Sequence, residues 1–372
     1  MFSTVMFALF VAQLVAQTAV DDGTTKIKLV KLKEFDAYHS GIFSSDGTQL
    51  ALTGVKNGLS KRPSLTIVSV PSGKVVCQGD IPTAERLSVD SFSVDGSELV
   101  ASYSTYEVAT ARTVGTVVLI DARNCQQTRV LAQDGSPASE PMVFHSPEKS
   151  SLIGQFNSIR MWDRRSGMET FHKELPEGYY PIRSVLSRNG KWLACYGRKL
   201  VPSQGTLPSR ELHLLVAFNV ETKEIIDLDN DGDVTFTFSA DSNHLFVNQK
   251  VYGNSVNNTG PQLIVKVYDV NDWKLQRTYE NVSSSLNFDV STPNGLMAFG
   301  SSDGSFRLFS LSSGKPVAEG KYYKRTMLDD LRGVPQAIME VGSPVFSPDG
   351  RFLVVDGTRG NVQLWKLEGV RE

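Results

Sequence analysis

One phrase recurs seven times along the chain: an aromatic or aliphatic residue, a short polar turn, then a hydrophobic strand. The copies are Phe43-Ser44-Ser45-Asp46-Gly47, Phe92-Ser93-Val94-Asp95-Gly96, Phe144-His145-Ser146-Pro147-Glu148, Leu186-Ser187-Arg188-Asn189-Gly190, Phe238-Ser239-Ala240-Asp241-Ser242, Phe288 through Pro293-Asn294-Gly295, and Phe346-Ser347-Pro348-Asp349-Gly350. Their first residues lie 49, 52, 42, 52, 50 and 58 positions apart. A period of this length means like units packed side by side, because one such unit is too small to bury both of its faces.

Each turn leads into a strand such as Leu99-Val100-Ala101 or Phe352-Leu353-Val354-Val355, then into a third strand such as Ile159-Arg160-Met161-Trp162-Asp163. A second tight turn (Pro71-Ser72-Gly73, Ser312-Ser313-Gly314) opens a fourth. Short strands joined by Asp-Gly and Ser-Gly turns make antiparallel sheets. The expected fold is all-β, a seven-bladed β-propeller of four-stranded antiparallel blades over residues 26–367. The last blade has three strands before the chain runs out, so residues 26–35, Lys-rich and alternating with aliphatics, are expected to close the ring as its fourth.

These repeats resemble the WD-repeat and related propellers over Lys26 to Leu367. Only Trp162-Asp163 gives the literal dipeptide and no blade carries the Gly-His pair, so the repeats are degenerate. The resemblance implies binding of a protein or peptide partner.

The chain has 372 residues, 40% hydrophobic, with 38 basic and 40 acidic side chains. That balance excludes disorder and argues against nucleic acid as a partner. Residues Val5 to Val15 are an apolar run followed by small and polar residues, and no Lys or Arg precedes Lys26. Residues 1–19 therefore read as a secretory signal peptide, too short for a stable membrane span, and the protein is expected to be secreted or otherwise exported. Cys77 is expected on an outer strand, Cys125 in a turn and Cys195 on a second strand, and such different positions argue against bridging.

Turns between the first and second strands, and between the third and fourth, fall at one end of the ring and are uniformly tight. At the other end four loops are long, Gly54–Ser64, Tyr103–Gly115, Gly197–Arg210 and Asn248–Gln262, with the longer connection Glu319–Gly342. Long loops on a rigid scaffold are where binding residues collect. The expected partner face therefore includes Lys61, Arg62, Arg112, Arg198, Lys199, Lys250, Tyr322 and Tyr323.

Asp227-Leu228-Asp229-Asn230-Asp231-Gly232-Asp233 matches the first half of a calcium loop, with carboxylates at alternate positions and a Gly at the turn. Asp227, Asp229, Asp231 and Asp233 are the candidate metal residues and calcium the candidate ion, although Phe238 stands where such loops end in Glu. Gly300-Ser301-Ser302-Asp303-Gly304 fits a serine-hydrolase pattern, but it falls between two strands and reads as a turn. The five histidines are scattered, and Trp192, Trp273, Trp365 and Phe309 are expected at strand positions in the packing. The leading expectation is a non-catalytic, exported interaction or scaffold propeller working through the long-loop face. The alternatives are a hydrolase or lactonase with a divalent ion at the channel mouth, or a receptor for a small ligand or glycan.

Overall fold

The computed structural model describes residues 27–55, 63–81, 84, 86–107, 109, 112–134, 142–146, 151–155, 158–176, 178–201, 210–228, 232–251, 262–280, 282, 285–301, 303–322, 342–357 and 361–369. The expected signal peptide, Lys61, Arg62, Asp229, Asp231 and Tyr323 lie outside them. Among the described residues no helix is long and apolar enough to cross a membrane.

The chain opens on β1 (Lys28–Asp36). Blade 1 is β2 (Tyr38–Phe43), β3 (Gln49–Val55), β4 (Pro63–Ser69) and β5 (Val75–Asp80); blade 2 is β6 (Arg86–Phe92), β7 (Glu98–Glu107), β8 (Arg112–Asp121) and β9 (Gln126–Asp134). Blade 3 is β10 (Met142–His145), β11 (Ser151–Gln155), β12 (Ser158–Asp163) and β13 (Glu169–Glu174); blade 4 is β14 (Tyr179–Leu186), β15 (Trp192–Val201), β16 (Arg210–Asn219) and β17 (Ile225–Leu228). Blade 5 is β18 (Val234–Phe238), β19 (His244–Val251), β20 (Gln262–Asp269) and β21 (Leu275–Glu280); blade 6 is β22 (Phe288–Ser291), β23 (Leu296–Gly300), β24 (Ser305–Ser310) and β25 (Pro316–Lys321). Blade 7 holds β26 (Pro344–Phe346), β27 (Phe352–Gly357) and β28 (Asn361–Glu368), with β1 as its fourth strand. The fold is the expected seven-bladed propeller, and every blade is a four-stranded antiparallel sheet.

Ring closure runs from Lys28 opposite Glu368 to Asp36 opposite Asn361, with an irregularity between Lys31 and Lys33. The lysines of β1 stay exposed while Phe35 is buried against Leu50, Leu52, Val354 and Leu364. Every junction between neighbouring blades holds its own apolar core. Leu65 and Ile67 of blade 1 meet Leu99 and Ile120 of blade 2, and Phe306 and Leu308 of blade 6 meet Leu353 and Trp365 of blade 7.

The recurring phrase is a hydrogen-bonded clasp. Ser44 Oγ donates to Asp46 Oδ1 at 2.6 Å and accepts from Gln49 N at 2.9 Å, while Asp46 also accepts from Thr48 N at 3.0 Å. Ser93, Ser187, Ser239 and Ser347 repeat this with Asp95, Asn189, Asp241 and Asp349. In the five regular copies the fourth residue after the repeat position takes a positive φ, 72° at Gly47 and 71° at Gly350, which glycine adopts without a steric penalty; Ser242 takes it in blade 5. Hydrogen bonds from Ser93 and Ser97 hold the Asp95 carboxyl down at about 2.

Strand register corrects two of the seven copies. Phe43 lies opposite Leu50, whereas the residues in the equivalent pairs are His145, opposite Leu152, and Ser291, opposite Leu296. The third phrase therefore starts one residue later than its sequence suggests, and the sixth three residues later.

The expectation against bridging cysteines is overturned, for Cys77 and Cys125 form a disulfide with Cα atoms 5.6 Å apart. Cys77 is indeed on an outer strand and Cys125 in a turn, but the β8–β9 turn of blade 2 packs on β5 of blade 1. A Cβ added at Gly79 would come within 2.4 Å of the Cys125 carbonyl oxygen, which shows how close the approach is. Cys195 is free and buried. Trp273 is likewise corrected: it lies in the β20–β21 turn with φ 55°, although it packs edge-on against Trp192 of blade 4.

Strand pairing runs into three of the four expected long loops. Pairing continues to Glu107 opposite Arg112, Val201 opposite Arg210 and Val251 opposite Gln262, because Thr105-Tyr106 and Leu200-Val201 carry the β-branched and aromatic residues that extend a hairpin.

Deleting residues 26–33 removes most of β1 and leaves β28 as an uncovered edge. The expected result is a melting temperature lower by at least about 10 °C, the scale of a loss of several kcal/mol. An unchanged melting curve would mean that the ring does not depend on this closure.

Candidate functional site

The long-loop end is uneven. Counted from the leucine opposite the repeat position, the second strand runs eight residues on to Glu107 in blade 2 and to Val201 in blade 4, but only three to Gln155 in blade 3. At about 3.4 Å per residue the flanking hairpins rise roughly 17 Å above blade 3. Tyr106 shares a face of β7 with Val100, which packs toward blade 3, and Leu212 shares a face of β16 with Val216, which packs toward blade 3 from the other side. Alternation therefore turns Tyr106, 50% exposed, and Leu212, 38% exposed, toward the space above blade 3 from opposite walls. Lys199 lies opposite Leu212 in the pairing and shares its face.

Of the expected partner-face residues, Arg112 is on the raised hairpin of blade 2, Arg198 and Lys199 are on that of blade 4, and Lys250 is on β19 of blade 5. Tyr322 does something else. It is 3% exposed, its hydroxyl donates to Ser301 O at 2.7 Å and accepts from Gly342 N at 3.0 Å, and it thereby pins both ends of the connection between blades 6 and 7.

On the opposite face of the β15–β16 hairpin, Arg198 joins a polar network with blade 5. Arg198 Nη2 donates to Asp233 Oδ1 at 2.5 Å, Tyr196 Oη donates to the same oxygen at 3.1 Å, and Tyr196 Oη lies 2.8 Å from His213 Nδ1. Burial is the main cause that pushes the Tyr196 hydroxyl up to about 12. Glu211 adds a carboxylate 3.5 Å from Arg198. Of the candidate calcium ligands, Asp227 is exposed and Asp233 is paired with Arg198, so a cation there competes with a guanidinium for Asp233. Among the described residues no cluster of three or more His, Cys, Asp or Glu is arranged to hold a metal ion.

At the tight-turn end the channel widens into a cavity of about 300 Å³ bounded by all seven blades, with Ser45, Val94, His145, Arg188, Ala240, Pro293 and Pro348 among its lining. Asp289 of β22 also lines it. Its Oδ2 accepts from Phe346 N of blade 7 at 2.8 Å, and the Thr237 hydroxyl of blade 5 also bonds to its carboxyl. Burial nonetheless raises this carboxyl to about 6, opposed by those bonds and by the charge of Arg183. Its residual surface faces the walled channel rather than bulk water, so desolvation dominates. His145, also in the lining, is held down at about 3, first by burial and then by the charge of Arg164. A second, polar cleft of about 620 Å³ between blades 2 and 3 is lined by Arg123, Arg129, Arg164 and Arg165 with Glu98 and Asp121. Arg129 there donates to the carbonyls of Arg164 and Arg165, and Arg277 makes the same link to Leu311 and Ser312, which marks a repeating strut between blades.

Sequence reasoning missed Tyr106 and Leu212 because the residues around them read as loop, although their alternation with polar neighbours was visible. It missed Asp289 because the misaligned sixth copy hid that an acid stands inside an inner strand.

Fold and channel together define a seven-bladed β-propeller. No family model and no curated protein matches the chain. Among solved structures it is similar to the β-propeller domain of Cps50 (Swd1) from Myceliophteria thermophila, with a TM-score of 0.63 at 15% identity, covering 91% of this chain and 99% of that one. At that identity the likeness speaks for the fold alone, and 1075 solved chains match. A fold so widely shared leaves function to be argued from the site.

Asp289 carries a pH prediction. Its folded value lies above the unfolded one, so its contribution is fully present below about pH 3.8 and is lost as pH rises through about 6. Asp289→Asn keeps an acceptor for Phe346 N and removes the cost of the buried charge, on the order of 3 kcal/mol at neutral pH. Thermal melts at pH 4 and pH 7 should show the variant gaining on the native protein as pH rises. A parallel pair of curves would mean that Asp289 titrates as an ordinary surface acid.

Proposed function

We propose that this chain is an exported, non-catalytic propeller that binds a protein or peptide partner in the notch above blade 3. The observation that carries this reading is the pair of raised hairpins presenting Tyr106 and Leu212 from facing walls. Exposed aromatic and aliphatic side chains on rigid elements, rimmed by charge, make good anchors for a partner. Lys199 favours a partner segment that is apolar with acidic flanks.

Two features support the remaining parts of the reading. A Cys77–Cys125 disulfide suits an oxidising compartment, in keeping with the apolar run from Val5 to Val15. The Tyr196, His213, Arg198 and Asp233 groups already spend their hydrogen bonds on one another, which suits a clamp between blades 4 and 5 more than a reacting centre.

Cross-linking and affinity capture from the extracellular or periplasmic fraction should recover a partner in stoichiometric amount. Tyr106→Asp combined with Leu212→Asp should weaken its capture at least tenfold, about 1.4 kcal/mol, without lowering the melting temperature. Equal recovery with the variant would move the binding face elsewhere.

Export has its own readout. Protein isolated from its native cells and labelled in denaturant should show one reactive thiol per chain, Cys195, and should lack residues 1–19. Three reactive thiols on an intact chain would place the protein in a reducing compartment.

A further inference from the structure

At the tight-turn end, on the side away from the notch, one residue breaks the pattern of the seven turns. The position after the clasp serine is Ser45, Val94, Ala240 and Pro348 in four other blades, and Pro147 and Pro293 follow the equivalent Ser146 and Thr292 in the remaining two. In blade 4 it is Arg188. We propose that the channel mouth here binds a small organic carboxylate, its charge held by Arg188 and its apolar body filling the channel.

Three observations converge on that ligand. The cavity, about 300 Å³, is of small-molecule size, and Phe92, Phe144, Val185, Phe238, Val290 and Phe346 give it apolar walls contributed by six inner strands. Among the described residues Arg188 is the sole Lys or Arg in its lining. Its guanidinium reaches from blade 4 across the mouth, where Nη1 donates to Pro348 O of blade 7 at 3.5 Å and Nη2 to Ser45 O of blade 1 at 3.4 Å. Both bonds are well beyond the roughly 2.7–2.9 Å of a charge-assisted pair, so the donors are held by weak neutral acceptors and a carboxylate is the stronger bidentate match.

Among the described residues the acids of neighbouring turns are engaged within their own turns. Asp46, Asp241 and Asp349 each bond to the serine and the backbone N–H groups of their own turn, and among the described residues no ion pair holds Arg188. The lining also fixes the direction of entry. Asp289 is an acid on an inner strand, bonded to blades 5 and 7, and its charge offsets that of the buried Arg183, so Arg188 at the rim is the cation left to meet a ligand's carboxylate. The ligand's carboxylate therefore stays at the rim and its apolar body points inward.

Calorimetric titration of the full chain at pH 7.5 with 3-phenylpropanoate and with hexanoate, each beside its primary amide, tests this directly. At least one acid should bind a single site with a Kd of about 1 mM or tighter and at least tenfold better than its amide. Arg188→Gln should lose at least tenfold in affinity for that acid, and Arg188→Lys should keep part of it. The melting temperature should stay unchanged in both variants because the residue is exposed. Equal binding of acid and amide, undiminished binding to the Gln variant, or no saturable binding of either acid would overturn the proposal. None of these results depends on the notch above blade 3, so either reading can fail alone.

Discussion

Pairing between β1 and β28 is the constraint on which the rest of the ring depends. Each junction core is built from two blades, so a ring opened at blade 7 would leave β28 bare and weaken the core that holds Phe35, Leu50 and Val354. The pairing joins residues about 330 apart in sequence, Lys28 with Glu368 and Asp36 with Asn361. Contacts of such separation are costly to form in chain entropy and come late in folding by general expectation. Exposed ion pairs such as Lys28 with Glu368 add little to it; the ladder hydrogen bonds and the burial of Phe35 do most of the holding.

Within this ring the serine clasp gives each inner turn a fixed shape, and its exceptions sit where the channel becomes polar. Blade 3 has His145 where other blades place Phe or Leu, and blade 6 has Ser291, two residues after Asp289. A regular repeat can spread apolar residues evenly around the channel, but a buried ionisable group needs specific partners from neighbouring blades. Phe346 N and the Thr237 hydroxyl supply them for Asp289. Irregularity in the repeat is thus the trace left by the channel's chemistry.

That also explains what was legible from sequence. Blade number, strand count and ring closure follow from local patterns, turn residues and alternation, and all were readable. Relations between blades were not: Cys77 meets Cys125 because the β8–β9 turn of blade 2 packs on β5 of blade 1, which no local signal encodes. The raised hairpins of blades 2 and 4 lay between these extremes. Their alternation was present, but residues such as Ser104, Thr105 and Glu107 look equally suited to a loop, and only pairing decides. Arg188 is legible as the cation of the blade 4 turn, but that this turn borders a cavity shared by seven blades is a relation that no local pattern encodes.

Closure has one more consequence, for orientation. Because β1 begins beside the end of β28, Lys28 and Glu368 leave the ring together at the tight-turn side of blade 7. Whatever is joined to the ring through either of these points, a surface, a tether or another domain, attaches behind it. The hairpins of blades 2 and 4 are then held facing outward, and the two chain ends peel apart pair by pair under tension instead of sliding past one another.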